Sequence, residues 1–518
     1  MSHRLTALCG VLTGIAVAAL AWTGVAAQEH RGPDSRGGEG QGLRGDEHGE
    51  SGRFGRMFHL PPFAEPTPAV KEALARLGAR GGPLDAHDNL AAGPIALILD
   101  PALNVGNPNN DAHSAGMTFV GQFLDHDMTF DTASRLGQPT NPRRSPNARR
   151  PYFDLDSVYG DGPAGSPQLY ESTDRAKFRV ESGGIYEDLP REPSGRAIIA
   201  DPRNDETVVI AGLQAAMLLA HNHAVDLARQ ADPSIDDDAA FEAARRRLTW
   251  HYQWMIVHEF LPQLVGPSMI AHVLAQPHRR YYPKPGDAYM PVEFQIAYRM
   301  GHSMVRPSYR ANFTGIGGAP FFALIFDPGQ QGAADPTDLR GGVRAARRFV
   351  GWSTFFRFPG LEADVRPNKR LDTHLSTPLF ELPLGAIAGS APPTSLAERN
   401  LLRHLTWSVP SGQAIADTIG APALRPDQLA ELAVFHPRFV TSTPLWYYVL
   451  KEAEVSGHGA QLGPVGGYLV TEVFLGLLQS DPDAYVNEQP DFQPTWGAVP
   501  REFRMIDLLN FAGVGGRR

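Results

Sequence analysis

Cysteine is all but missing from this chain: of 518 residues only Cys9 is one. A disulfide framework is therefore excluded, although an exported chain could have used one. Leu8 stands directly before Cys9, where a lipid-attachment signal needs a small residue, so no lipid anchor is expected. Clustered basic charge is missing too. The formal net charge is −9 and the pI is near 6.1, which argues against a nucleic-acid-binding surface. There is no internal repeat, and strand-like alternation with hairpin signals is scarce. The N-terminal apolar run, Leu8 to Leu20, falls short of the roughly 20 residues a membrane span needs.

What is present divides the chain in three. His3 and Arg4 form a basic start, Leu8 to Leu20 an apolar middle, and Val25-Ala26-Ala27 a small-residue cleavage site before Gln28. Residues 1–27 thus read as a cleaved signal peptide, implying a secreted or periplasmic protein without a stable membrane anchor. Residues 28–55 are rich in Gly, Arg, Glu and His, cannot bury a core, and should be disordered. Within them Arg44-Gly45-Asp46 spells a cell-adhesion tripeptide, which chance supplies readily in such a composition. From residue 56 to 518 the sequence reads as one large, mainly α catalytic domain. Apolar positions recur at helical spacing over Glu206–Gln230, Phe241–Gly266 and Pro464–Gln479. The many Gly (53) and Pro (45) residues imply numerous connections between short elements.

Five segments carry polar residues in unexpected places. In GQFLDHDMTF (Gly121–Phe130) a helix puts Gln122 and His126 on one face, with Asp125 and Asp127 flanking the histidine. In RRPYFDLDSVYG (Arg149–Gly160) Asp154 and Asp156 share one side of an extended or looped backbone, and Asp127 could add a third carboxylate for Ca²⁺. DPRNDET (Asp201–Thr207) opens a helix, with Arg203 and Glu206 three apart. FQIAYRMGHSMVRP (Phe294–Pro307) ends an apolar helical stretch on His302, and LAERNLLRHLTWSVPSGQAIA (Leu396–Ala416) carries Asn400 inside a helical pattern. Each has a plain structural reading: a solvated helix edge, an Asp turn, a capping motif, a core histidine, a helix-end hydrogen bonder.

Together and in this order, the five segments resemble the animal haem peroxidase family, specifically the peroxidase branch of the peroxidase–cyclooxygenase superfamily and a bacterial-type secreted member of it. LDHD, DxDSVYG, RxxE, YRMGH and NLLR…VPSGQ carry the likeness, as does LGPVGGYLVTEVFLGLL near the C-terminus. The resemblance implies a large, mainly α fold with haem b between central helices. It also implies reduction of H₂O₂ with oxidation of small halide, pseudohalide or phenolic donors. His126 matches the distal histidine, Arg203 the distal arginine and Gln122 the distal glutamine. His302 matches the iron ligand, Asn400 the asparagine holding that ligand's other nitrogen, and Arg299 the arginine near a haem propionate. Asp125 and Glu206 match carboxylates that in this family can form esters with haem methyl groups. Asp127, Asp154 and Asp156 match calcium ligands, with the carbonyls of Arg150 and Tyr152 completing the loop.

The residue types suit that chemistry. A neutral imidazole can take a proton from peroxide and return it to the leaving oxygen. This gives the expectation that His126 titrates near neutrality. A fixed guanidinium stabilises the charge that develops as the O–O bond breaks. Two positions depart from the family. Thr207 stands where strong halide oxidisers carry a methionine linked to haem, so chloride oxidation is not expected. Arg150 stands where a threonine is usual, and Asp156 in place of a serine can compensate. A rival reading from the same superfamily is a fatty-acid dioxygenase. Its tyrosine falls three residues before the iron-binding histidine; here that place is Arg299, and Tyr298 lies four before. A third reading, a non-catalytic adhesion or matrix protein, rests on Arg44-Gly45-Asp46 alone.

Overall fold

Helical spacing in the sequence becomes helix in the chain. In the computed structural model, which describes residues 52–182, 187–315, 318–342, 347–383 and 391–516, seven helices carry the core and the candidate site. They are α1 (Gly116–Met128), α2 (Val208–Ala231), α3 (Asp237–Met255), α4 (Val292–Ala297), α5 (Leu396–Trp407), α6 (Leu445–Gly457) and α7 (Pro464–Ser480). The expected signal peptide and the Arg44-Gly45-Asp46 tripeptide lie outside the described residues. Strands are few and short, and one hydrophobic cluster runs through the helices, with Trp352, Trp407 and Trp446 wholly buried.

The start of α2 is set by Thr207, whose hydroxyl accepts from Ile210 N at 3.3 Å. The helix therefore begins two residues later than the pattern suggested, and Glu206 follows the 3₁₀ turn Pro202–Asp205. α2 is long and apolar enough to cross a membrane by length and composition. It is instead mostly buried and packs along α3, the signature of a core helix. α3 passes into a single wide π turn at Ile256–Phe260 before Leu261–Val265. Pro262 accounts for it: the ring cannot donate, and it crowds the carbonyl four residues back. The wide turn brings Phe260 to the wall of the central cavity.

Gly52–Gly55, placed by composition in the disordered stretch, is instead a strand (β1). It lies between Pro146–Asn147, antiparallel, and Met290–Pro291, parallel. Its partners are far away in sequence, which composition cannot reveal. Glycine permits the close fit: a Cβ on Gly52 would lie 2.3 Å from Arg149 O, and one on Gly55 2.3 Å from the Tyr289 ring. The ordered chain thus begins before residue 56.

α7 lacks a local side-chain cap. Glu452 of α6 supplies one from a distance, its carboxyl accepting from Val465 N (2.9 Å) and Gly466 N (3.2 Å). Burial pushes this carboxyl up from 4.5 to about 7, against the lowering effect of those bonds. The folded state therefore holds a proton that the unfolded chain has already released. The stability linked to it is full below about 4.5 and is lost as pH rises through about 7. Glu452→Gln keeps an acceptor oxygen and cannot ionise. Its melting temperature relative to the parent chain should rise between pH 5 and 8, and a pH-independent difference would show that Glu452 is already ionised in the fold.

Candidate active site

α1 delivers Gln122, Asp125 and His126 to a cavity of about 260 Å³. The same cavity is lined by Arg203 and Glu206 from the approach to α2, and by Arg299 and His302 from the 3₁₀ turn Tyr298–Met304 after α4. Asn400 of α5 stands behind His302, its side-chain amide 2.8 Å from Nδ1. All eight residues that the sequence proposed for the haem side are thus brought together.

His126 is buried, and its Nδ1 lies 2.9 Å from Asn204 Oδ1. Asn204 Nδ2 donates to Gln214 Oε1 at 2.8 Å, so Oδ1 is left to accept. The proton sits on Nδ1, and Nε2 keeps its lone pair. The expectation of a titration near neutrality is corrected here: burial, then the charge of Arg203, push His126 down to about 3. The imidazole is neutral throughout the ordinary pH range.

Arg203 is clamped. Its Nε and Nη2 meet the two oxygens of Asp201 at 3.0 and 2.7 Å, Nη2 also donates to His126 O at 3.0 Å, and the guanidinium covers Phe130 at 4.2 Å. Asp201 caps the 3₁₀ turn by accepting from Arg203 N at 2.9 Å, and it pairs with Arg149 Nε at 3.1 Å. Burial opposes its charge, yet the charges and hydrogen bonds of Arg203, with Arg149, hold its carboxyl below the usual range. Asp201 and Asn204 are the site residues that the sequence reading missed. Both lie within the DPRNDET segment, where capping accounted for the carboxylate; the signal was two further polar residues in the turn that holds Arg203.

Gln122 Nε2 donates to Glu206 Oε2 at 3.3 Å. Burial raises both cavity carboxyls, Asp125 and Glu206, the latter to about 8. Burial and the neighbouring Arg299 push His302 down to about 3. Arg299 Nη1 reaches Asn400 Oδ1 at 3.4 Å, while its buried Nε has no partner. Thr207 also lines the cavity and is spent on capping α2.

Below His126, oxygens of Asp127, Asp154 and Asp156 lie within 4.8 Å of one another. Ser157 Oγ (3.0 Å) and Leu155 N (3.2 Å) donate to Asp127, and Tyr252 OH lies 3.3 Å from it. Arg150 meets the group through its side chain, Nη2 to Asp154 Oδ2 at 2.9 Å, and its amide donates to Asp156 Oδ2 at 3.0 Å. The Arg150 carbonyl accepts from Tyr152 N at 2.8 Å. Asp156 Oδ1 is buried without a hydrogen bond, its nearest cation being Arg149 at 3.5 Å. Burial, then Asp154 and Asp156, push Asp127 well above the carboxylate range. Three converging carboxyls that repel one another fit a hard cation held by oxygen.

Comparison with known proteins agrees with the sequence resemblance. The family model for animal haem peroxidase matches residues 100–320, a span that includes His126, Arg203 and His302 and stops before Asn400. Thyroid peroxidase of Canis lupus familiaris is 26% identical over 231 residues, which cover 39% of this chain and 24% of that one; the chain thus spans about a quarter of that relative's length. Among solved structures, peroxidase A of Dictyostelium discoideum aligns with a TM-score of 0.55 at 15% identity, over 86% of this chain and 98% of that one. A fatty acid alpha-dioxygenase of Oryza sativa aligns with a TM-score of 0.55 at 14% identity, over 78% and 75%. At these identities the structures establish the fold, which is the mainly α fold expected.

The Asp201 clamp generates a prediction that needs no cofactor. Asp201→Ala leaves two buried guanidiniums, Arg203 and Arg149, without their carboxylate. Removing one partner of a buried pair costs about 3–5 kcal/mol. Urea unfolding should show a loss of that order; a change within about 0.5 kcal/mol, as at an ordinary surface site, would mean the guanidiniums find other acceptors.

Proposed function

We propose that this chain, whose residues 100–320 match the family model for animal haem peroxidase, is a haem-dependent peroxidase that reduces H₂O₂ and oxidises a small halide, pseudohalide or phenolic donor. The observation that carries the reading is the pairing of a neutral imidazole, fixed by Asn204, with a guanidinium, fixed by Asp201, on one cavity. His302 is assigned to hold the iron, and the partnerless Nε of Arg299 suits an anionic edge such as a propionate. Iron ligation through His302 Nε2 calls for the Asn400 amide to present its oxygen to Nδ1–H, which releases Arg299 Nη1 from Asn400 toward that same edge. Haem, when bound, supplies the redox-active iron at which peroxide is reduced.

His126 Nε2 takes the proton from the attacking peroxide oxygen and returns it to the leaving one. Arg203 offers a charge that does not move during the reaction, so no reorganisation is required as the oxyanion develops. Asp125 and Glu206, both uncharged more readily than usual, are assigned to the haem edge. Ester links through them would leave haem on the protein after acid–acetone extraction of peroxide-treated enzyme. Thr207 provides no thioether, so chloride is a poor donor in this reading. Residues 1–27, assigned as a cleaved leader, support a secreted or periplasmic location.

The second reading, a fatty-acid dioxygenase, is favoured by one observation: Tyr298 lines the cavity, its hydroxyl 3.2 Å from Gly121 O. The deciding experiment loads the chain with haem and measures peroxide-dependent donor oxidation beside linoleate-dependent O₂ uptake. Peroxide-dependent oxidation should dominate; O₂ uptake that dominates and disappears in Tyr298→Phe would establish the second reading. Stopped-flow mixing with H₂O₂ then tests the roles. His126→Ala should slow the reaction on the order of 10²–10⁴-fold and Arg203→Ala roughly 10²–10³-fold, and losses below tenfold in both would remove the assignment.

Ca²⁺ is assigned to Asp127, Asp154 and Asp156, with carbonyls of Arg150 and Tyr152 as further oxygens. Asp127 adjoins His126 on α1, so this ion would lock α1 to the 150–156 loop. Chelation should lower the melting temperature and added Ca²⁺ should restore it. Elemental analysis that finds no calcium in active, chelator-treated protein would refute the site.

A further inference from the structure

His126 can take a proton at Nε2 only while that nitrogen is bare. Which ring nitrogen carries the proton is set by the hydrogen bond at the other one. At His126 that other nitrogen, Nδ1, lies 2.9 Å from Asn204 Oδ1. A side-chain amide can turn over, exchanging oxygen for nitrogen with little change of shape. A turned Asn204 would present its nitrogen to Nδ1, move the proton to Nε2 and leave His126 with nothing to accept with. The chemistry of His126 therefore depends on what holds this amide.

Two acceptors do so. Asn204 is wholly buried, and its Nδ2 lies 2.8 Å from Gln214 Oε1 and 3.5 Å from Ser157 O. A backbone carbonyl can only accept, so Ser157 sets the sense of the amide, although at that length it grips weakly. With both amides turned, Ser157 O would face Asn204 Oδ1, two acceptors with no proton between them. The short bond is the one to Gln214, and it requires Gln214 to offer its oxygen. Gln214 Nε2 is then left buried without a partner. An unpaired buried donor costs stability, so the Gln214 amide is not oriented for its own benefit. The Ser157 carbonyl is fixed in turn, because Ser157 Oγ donates to Asp127 Oδ1 at 3.0 Å. Asp127 follows His126 on α1, so the ring Asp127, Ser157, Asn204, His126 closes on neighbouring residues of one helix. Gln214 braces that ring from α2, and neither Asn204 nor Gln214 lines the cavity.

We propose that Gln214 is a positioning residue for the peroxide reaction: acting through Asn204, it keeps the His126 proton on Nδ1 and Nε2 free to accept. The consequence for peroxide rests on the peroxidase reading; the placement of the proton does not. Without the Gln214 oxygen, Asn204 keeps only the long contact to Ser157 O, and the turned amide competes with the native one.

The test uses the full chain with nitrogen-15 histidine, loaded with zinc protoporphyrin, a diamagnetic stand-in for haem that leaves histidine resonances sharp. In the parent chain His126 Nδ1 should resonate as a protonated nitrogen and Nε2 as a bare one. Gln214→Leu removes the acceptor and should move part of the proton to Nε2. Gln214→Glu keeps an acceptor oxygen in the same place and should restore the parental pattern. Stopped-flow mixing of the haem-loaded chains with H₂O₂ should show Gln214→Leu slowed about tenfold, the worth of one neutral hydrogen bond, and Gln214→Glu close to the parent. A parent chain with the proton on Nε2 would overturn the proposal. So would a Leu variant with the parental nitrogen pattern, or equal slowing in both variants, which would leave Gln214 a packing role alone. If the parent shows the expected pattern but does not react with H₂O₂, the peroxidase reading fails, and the nitrogen spectra still decide the role of Gln214.

Discussion

The buried carboxylate of Asp201 is the anion on which the geometry of the site depends. It holds Arg203 through two oxygens and Arg149 through one, and those guanidiniums reach outward to the His126 carbonyl and to Asp156. Three separate segments, α1, the loop at 149–157 and the turn before α2, are thereby referred to one point. A buried ion pair adds little net stability once desolvation is counted. What it contributes is position: Arg203 cannot swing away without leaving a charge unpaired, and the imidazole next to it cannot become cationic at ordinary pH.

The same physics shapes the whole cavity. Burial suppresses charge on the imidazoles of His126 and His302 and on the carboxyls of Asp125 and Glu206. Guanidinium groups resist it: Arg299, even when pushed down to about 10 by burial and by Arg403, remains a cation at neutrality. The field inside is therefore set by arginine. Such a space favours anionic edges and negative charge that develops in a transition state, and it gives neutral peroxide no electrostatic reason to linger.

Much of this was legible in the sequence because helical periodicity and local motifs survive in one dimension. α2, α3 and α7 follow from apolar spacing, α1 and α5 from the helical reading of the segments around His126 and Asn400, and the joining of His302 to Asn400 follows from the family resemblance. What could not be read has a common cause. Glu452 capping α7, Asn204 orienting His126, and the pairing of Gly52–Gly55 with Met290–Pro291 are all contacts between distant segments, and each residue has an innocent local explanation. Asp201 is the sharpest case: it does cap its turn, so the local reading was right and hid the second role. The downward shift of His126 was hidden for a related reason, since it depends on how deeply the ring is buried and on how near Arg203 comes.

β1 also places a condition on the order of events. Its antiparallel partner emerges only with residue 147 and its parallel partner only with residue 291. At about 5–20 residues per second, β1 waits roughly 10–50 s for its last neighbour. Until residue 147 is made β1 has neither partner, and from then until residue 291 one of its edges stays open. The three-stranded sheet around β1 can therefore close only after more than half of the chain has been synthesised.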